Sequence, residues 1–154
     1  MKMYWGVLAI AAWGVFLASM GAHAFTLVTE DEVRTEARAA EKQPARRRAL
    51  PAVGAPRIEV RAPRLSGSAL RNPLRIELGF TSGADAEINP ASFRAFYGSL
   101  RIDITERIVK SVRVTTSGLN VDNAEIPPGS HRLFLRIADT KQRATETELR
   151  FVIE

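Results

Sequence analysis

Two histidines occur in the sequence, and only His131 lies outside the N-terminal apolar segment. A serine-hydrolase relay would have to combine this imidazole with Ser130 or Ser99 as the nucleophile. The acids available to orient the imidazole are Asp103, Asp122 and Asp139. No Gly-x-Ser-x-Gly turn is present to expose such a serine. Because His131 follows a Pro-Pro-Gly turn at the predicted start of a strand, we interpret it as a corner residue that hydrogen-bonds a neighbouring loop.

The sequence offers few side chains that could bind a metal ion. The sequence has no Cys, which excludes disulfides, cysteine-ligated zinc and thiol catalysis. The local carboxylate candidates for calcium are Asp85 with Glu87 and Asp122 with Asn123, but turn chemistry explains both pairs. We therefore expect no metal and no cofactor.

Sugar and phosphate chemistry are equally poorly supported. A glycosidase pair would have to come from Glu77, Glu87 and Glu106, in a domain too small to offer an enclosed sugar cleft. No phosphate-binding loop of the Gly-x-x-x-x-Gly-Lys type occurs, and residues 81–84 are predicted to form a hairpin turn. We expect the chain not to be an enzyme.

The elements that must position these residues are mainly strands. Apolar and polar residues alternate most clearly from Leu74 to Thr81. The other alternating apolar sets are Ile58, Val60 and Ala62; Phe93, Ala95 and Tyr97; Leu133, Leu135 and Ile137; and Leu149, Phe151 and Ile153. A turn at Asn89-Pro90 precedes the Phe93 set, and Val112 with Val114 predicts a further short strand.

The segment 99–110 fits two patterns. Ile102 and Ile104 alternate as in a strand, whereas Asp103 with Glu106 resembles a helix capping box. We predict a strand that runs into one or two helical turns.

The pattern as a whole predicts an all-β domain, an antiparallel β-sandwich of about seven strands. The sequence IPPGSHRLFLRIAD, which ends at Asp139, and the strand Glu148 to Ile153 resemble the closing hairpin of bacterial immunoglobulin-like domains. The resemblance covers residues 56–154 and implies an immunoglobulin-like topology, without implying a particular function. Lys141-Gln142-Arg143 departs from this family, which often has Gly in the final turn.

The N-terminal residues 1–24 resemble a signal peptide. Lys2 gives a positive start, the run from Tyr4 to Ala22 carries no charge, and Ala22-His23-Ala24 has small residues where a signal peptidase reads. The sequence therefore predicts a bacterial periplasmic or secreted protein that begins at Phe25. An uncleaved membrane anchor is the alternative, since about 20 apolar residues cross a bilayer.

Residues 25–55 are predicted to form a charged arm and linker. Thr29 with Glu32 forms a capping-box pattern, which predicts a short exposed helix with too little apolar surface to dock firmly. Arg46, Arg47 and Arg48 follow it and favour a solvated hinge over an anionic contact. Nucleic acid is not an expected partner of an exported chain, although the formal net charge is +5.

What remains is recognition at the surface. Five residues are predicted to form a cationic and apolar interaction surface on the outer side of the strands: Arg113, Arg132, Phe134, Arg136 and Arg150. Arg75 and Val152 fall on the same predicted side, and packing of Phe134 beneath the arm is the alternative.

The preferred hypothesis is a non-catalytic domain that binds an envelope protein. The second is a module for cell-wall glycan or another envelope polymer, which the scarcity of Trp and Tyr disfavours. A copper carrier, which typically needs several histidines, comes third.

Overall fold

The fold is mostly β, and its computed structural model describes residues 25–40, 52–64 and 67–154. The predicted signal segment 1–24 and the Arg46, Arg47, Arg48 triplet lie outside the described residues. Within the described ranges, no helix is both long and apolar enough to cross a membrane.

The described residues form eight strands and two short helices. The strands are β1 (Phe25–Thr26), β2 (Arg57–Ala62), β3 (Leu74–Thr81), β4 (Ile88–Tyr97), β5 (Ile102–Asp103), β6 (Gly118–Glu125), β7 (Gly129–Asp139) and β8 (Ala144–Ile153). The helices are α1 (Glu30–Ala40) and α2 (Thr105–Ser111). The strands form two four-stranded sheets, with orders β1-β6-β3-β2 and β5-β4-β7-β8. Every pairing is antiparallel except that of β1 with β6.

In the first sheet, β3 is an inner strand, and one of its faces is buried as its alternation predicts. Leu74, Ile76, Leu78 and Phe80 are all buried, and the residues between them include the solvent-facing Arg75. β3 pairs with β2 at one edge and with β6 at the other. The sequence analysis did not predict β6. Its alternation breaks at Asn123, which has a φ of 60° and brings Ala124 inward. This irregularity hides the strand from a period-two pattern.

The second sheet contains the predicted closing hairpin of β7 and β8, paired in register from Gly129 opposite Ile153 to Ala138 opposite Ala144. In the turn, Gln142 has a φ of 62°, the left-handed conformation for which Gly is usual. The Asp139 carboxylate accepts hydrogen bonds from the N–H groups of Lys141 and Arg143, both at 2.9 Å. These bonds hold the turn without Gly.

Three predictions of turns and strands are wrong. Residues 81–84 do not form a hairpin turn, because β3 and β4 belong to different sheets. Val112 and Val114 lie outside the strands and pack, partly buried, against the core. Asn89-Pro90 lies within β4, where the register with β7 shifts between Asn89 and Arg94. The apolar residues Val112 and Val114 thus indicate burial but do not indicate a strand.

The segment 99–110 folds as predicted, with β5 running into α2. Ile104 and Ile108 are buried on the inner side of α2. The capping box of Asp103 with Glu106 does not form. Instead Asp103 accepts a hydrogen bond from the N–H of Thr105 at 2.8 Å. Hydrogen bonding from the Thr105 side chain, and then from this N–H, lowers the pKa of Asp103.

The N-terminal segment is attached to the sheets more firmly than expected. The Thr29–Glu32 capping box forms, with the Thr29 N–H 2.9 Å from a Glu32 carboxylate oxygen. Leu27 and Val28 are fully buried in the core shared by both sheets. The sequence analysis underestimated docking of α1 because it counted only apolar residues on the helix. The carboxylate of Glu32 binds Arg107 in α2, and that of Glu36 binds Ser99 in the turn after β4.

Candidate interaction surface

The outer face of the second sheet collects four of the five predicted surface residues. Arg132, Phe134 and Arg136 lie on β7, and Arg150 lies opposite Arg132 on β8. We call this the Arg–Phe face, and it also includes Arg94, Phe96 and Arg101, which lie on β4 or on the turn that follows it. Arg113 is separate from this face because it lies in the segment after α2. Arg75 belongs to the other sheet, where it contacts Asn120 and Glu77.

Two half-buried phenylalanines form the centre of the Arg–Phe face. Phe96 and Phe134 lie directly opposite each other on β4 and β7. The guanidinium carbon of Arg101 lies 4.7 Å from the centroid of each ring, within the range of a cation–π contact. Arg101 therefore covers Phe134, whereas the alternative in the sequence analysis was that the arm covers it.

Arg101 is itself fixed by Glu146 on β8. The two side chains make two parallel hydrogen bonds, with Arg101 Nη1 2.9 Å from Glu146 Oε1. This hydrogen-bonded pair raises the pKa of the Arg101 guanidinium. A planar guanidinium bound at its edge and stacked on both rings has little rotational freedom. The centre of the face is thus ordered before any partner arrives.

A second ion cluster lies around Glu148, two residues after Glu146 on β8. Glu148 Oε1 is 3.2 Å from Arg132 Nε and 2.7 Å from Arg150 Nε. These two arginines are therefore partly neutralised by one carboxylate. The alternating pattern of the strands predicts that they share a side, but it does not identify Glu148 as their common partner.

Arg136 is an accessible cation on the Arg–Phe face. It is exposed, lies opposite Arg94 and Glu146 on the neighbouring strands, and makes no ion pair among the residues that the structure describes. Arg94 is likewise exposed and hydrogen-bonds only to the carbonyl oxygens of Ala91 and Phe93, so a carboxylate could approach either arginine without displacing an ion pair between described residues.

Arg113 lines a different feature, an open groove of about 870 Å³ between α2 and β4. Val109, 45% exposed, and the partly buried Val112 and Val114 supply apolar surface, with Lys110 at the rim. Lys110 is paired with Glu106 at 3.0 Å. The predicted surface is therefore two surfaces, of which the Arg–Phe face holds most of the charge.

His131 occupies the corner position that the sequence analysis assigned to it. It is buried, with Nε2 2.8 Å from the carbonyl oxygen of Pro127 and Nδ1 3.1 Å from the hydroxyl of Tyr97. Nε2–H donates to Pro127, so Nδ1 accepts from Tyr97. Burial lowers the pKa of His131 and raises the pKa of Tyr97 to about 12. Both ring nitrogens are occupied, and neither contacts Ser99 or Ser130.

The carboxylates considered for calcium serve the turns and ion pairs. Asp85 accepts from Arg143 and Lys141, each at 2.7 Å, and Arg143 also reaches Asp139. Burial would raise the pKa of Asp139, but hydrogen bonds from Arg143 and from the turn backbone hold it below its usual value. In the part of the chain that the structure covers, no group of three or more His, Cys, Asp or Glu side chains could hold a metal ion.

The sequence analysis missed the residues that organise the Arg–Phe face, namely Phe96, Arg101, Glu146 and Glu148. The alternation of β8 places Glu146 and Glu148 on the outer side and could have indicated the acids, but the long reach of Arg101 from a turn has no sequence signal. No known protein family, no curated protein and no solved structure matches this chain.

Proposed function

We propose that the chain is an exported, non-catalytic, immunoglobulin-like domain that binds a protein partner in the cell envelope through the Arg–Phe face. The observation that carries this proposal is Arg101 stacked on both Phe96 and Phe134 at the centre of a cationic sheet. Arginine and aromatic side chains are enriched in protein interfaces, and rigid ones lose less entropy on binding.

The strand order supports the immunoglobulin-like assignment. Constant-type immunoglobulin domains have one sheet ordered A-B-E-D and a second ordered C-F-G. Here β2-β3-β6 follows A-B-E, β4-β7-β8 follows C-F-G, and β1 takes the place of strand D beside β6. This argument concerns the fold, and the location in the envelope rests on the signal-like residues 1–24.

The glycan alternative is weakened by the aromatic residues. Sugar-binding surfaces usually need an exposed aromatic ring as a platform. Tyr97 is fully buried, and both outer phenylalanines are covered by Arg101. The copper alternative is weakened in the same way, because both ring nitrogens of His131 already have partners.

The test is site-specific photo-crosslinking in cells that express the full chain. A photoreactive phenylalanine analogue at Arg136 is compared with the same analogue at Asp122, an exposed position on the first sheet. We expect a protein adduct of defined mass at position 136 only. Arg132→Ala should reduce its yield, since the cationic surface is then smaller. Equal adducts at both positions, or none, would contradict the proposal, whereas a rise in the unfolding midpoint with soluble peptidoglycan fragments would favour the polymer alternative.

A further inference from the structure

β8 is an edge strand of the second sheet, and the described residues occupy only part of its outer edge. One side pairs with β7 along its whole length. On the other side, Leu70 donates its N–H to the carbonyl oxygen of Val152 at 2.7 Å and accepts from the N–H of Glu154 at 3.0 Å. The chain therefore already uses the C-terminal end of this edge for pairing.

The Leu70 contact also shows which backbone groups point outward. Because the carbonyl of Val152 is directed away from β7, the alternation of an antiparallel ladder directs the N–H and C=O of Arg150 and Glu148 the same way. Among the residues that the structure describes, these groups have no backbone hydrogen-bond partner on that side. An edge with unpaired backbone groups is a template for another strand.

We propose that β8 pairs antiparallel with β8 of a second copy of this chain, around a two-fold axis at Leu149. Glu148 then lies opposite Arg150 of the partner subunit, and Arg150 lies opposite the partner's Glu148. The two sheets join into one continuous sheet of eight strands, held across the axis by about four backbone hydrogen bonds.

Charge complementarity selects a second copy and this register. In a two-fold pairing the strand meets its own sequence reversed, so the Glu148, Arg150 order meets Arg150, Glu148. Opposite charges directly across a strand pair are favourable, and like charges are not. The two neighbouring two-fold registers place Glu148 opposite the partner's Glu148, or Arg150 opposite the partner's Arg150. Only the proposed register avoids both repulsions.

Such an interface is small, which makes the dimer weak. Contacts well below about 1,200 Å² typically hold transient complexes. The dimer enlarges the Arg–Phe surface, because two copies of that face lie side by side on one sheet. Dimerisation is independent of the proposed envelope partner, since a monomer presents the same Arg–Phe face.

The absence of Cys from the sequence allows a clean test by disulfide crosslinking. Full-length Glu148→Cys and Arg150→Cys proteins, one with an affinity tag, are mixed under mild oxidation. Opposed residues of a strand pair lie about 5.5 Å apart at Cα, within disulfide range. We expect the mixed disulfide to exceed either self-crosslink several-fold. Asp122→Cys, on the outer face of the first sheet, is the control, and mixed crosslinking no greater than its level would overturn the proposal.

Sedimentation of the full chain tests the backbone contribution separately. Arg150→Pro removes an N–H that faces the open edge and leaves the bonds of Leu149 and Phe151 to β7 in place. Arg150→Ala removes the same charge but keeps the N–H. We expect the alanine variant to weaken the dimer several-fold and the proline variant to abolish it, with unchanged circular dichroism. A wild-type chain that is monomeric up to about 1 mM would overturn the dimer, while leaving the crosslinking test of the envelope partner unaffected.

Discussion

Glu36 in α1 accepts hydrogen bonds from the backbone N–H and the hydroxyl of Ser99, a residue 63 positions further along the chain. The carboxylate is almost entirely buried and lies close to the backbone of Gly98. Gly98 has a φ of 70°, and the Cβ of any other residue at this position would clash with Glu36. A polar contact thus holds the N-terminal helix against the turn that follows β4.

Glu36→Ala should therefore destabilise the protein by about 1–3 kcal/mol, because it leaves the N–H of Ser99 without its partner. Urea unfolding measures the change. Glu30→Ala, an exposed acid on the same helix, is the matched control and should cost less than about 1 kcal/mol. An equal effect of both substitutions would show that the Ser99 contact does not stabilise α1.

Glu32 makes the docking of α1 sensitive to acid. Its hydrogen bonds with Arg107, at 2.7 and 2.8 Å, lower its pKa from 4.5 to about 2, against the opposing effect of burial. A carboxyl whose pKa is lower in the folded state stabilises the fold above its unfolded pKa and loses that contribution as the pH falls. The difference in unfolding free energy between wild type and Glu32→Gln should be about 2 kcal/mol at pH 6 and should shrink between pH 4.5 and 2. Parallel curves for the two proteins would contradict this assignment.

His131 should behave as a neutral, structural histidine. Burial lowers its pKa below 6.5, so the unfolded state binds a proton more readily and stability falls as the pH drops below about 6.5. His131→Gln should lack this dependence between pH 7 and 5, in denaturation curves recorded at each pH. His131→Ala should destabilise the protein by about 2–3 kcal/mol yet leave crosslinking at position 136 intact. Loss of crosslinking in a stably folded variant would assign His131 a role in binding.

Arg101 should stabilise the folded state more than its partial exposure to solvent suggests. Arg101→Ala removes the two hydrogen bonds to Glu146 and both ring contacts, and should cost about 1–3 kcal/mol. Arg101→Lys keeps the charge but loses the bidentate geometry, so an intermediate cost is expected. Arg136→Ala, on the same face without an ion pair in the described ranges, should change stability by less than about 0.5 kcal/mol. Thermal unfolding compares the three, and equal midpoints would mean that Arg101 does not order the face.

Gly118 should tolerate no side chain. Its φ is 145°, and a Cβ there would meet the carbonyl oxygen of Leu78 in the paired strand. Gly118→Ala should cost more than about 2 kcal/mol, since both backbone strain and a clash oppose it. Gly67→Ala shares the positive φ, at 84°, but has open space around it, so strain alone should cost about 1 kcal/mol. Comparison of their denaturation midpoints separates the clash from the strain.

The fold could be predicted from the sequence wherever one strand face is buried without interruption. Leu74 to Phe80 and the β7–β8 hairpin follow a period of two, so their burial and pairing are predictable. β6 could not be recognised, because Asn123 interrupts its alternation with a positive φ. Loops that join different sheets, such as the one after β3, look the same in sequence as hairpin turns.

Only part of the candidate surface could be predicted, because alternation depends on local backbone geometry and not on contacts between distant residues. Alternation places Arg132, Phe134 and Arg136 on one side, since that depends on local geometry alone. It says nothing of Arg101, which reaches the same rings from a turn, or of Arg113, which lies elsewhere. Contacts made across strands by long side chains depend on tertiary structure.

The attachment of residues 25–40 has a mechanical consequence. β1 is hydrogen-bonded to the first sheet, and α1 is bound to Ser99 and Arg107 beside the second. Tension applied at Phe25 would therefore load both sheets at once, through strand hydrogen bonds and buried carboxylates, before it reached residue 52. A domain held in this way transmits force applied at Phe25 directly into its core, and its extension under load should begin with the release of β1, followed by α1.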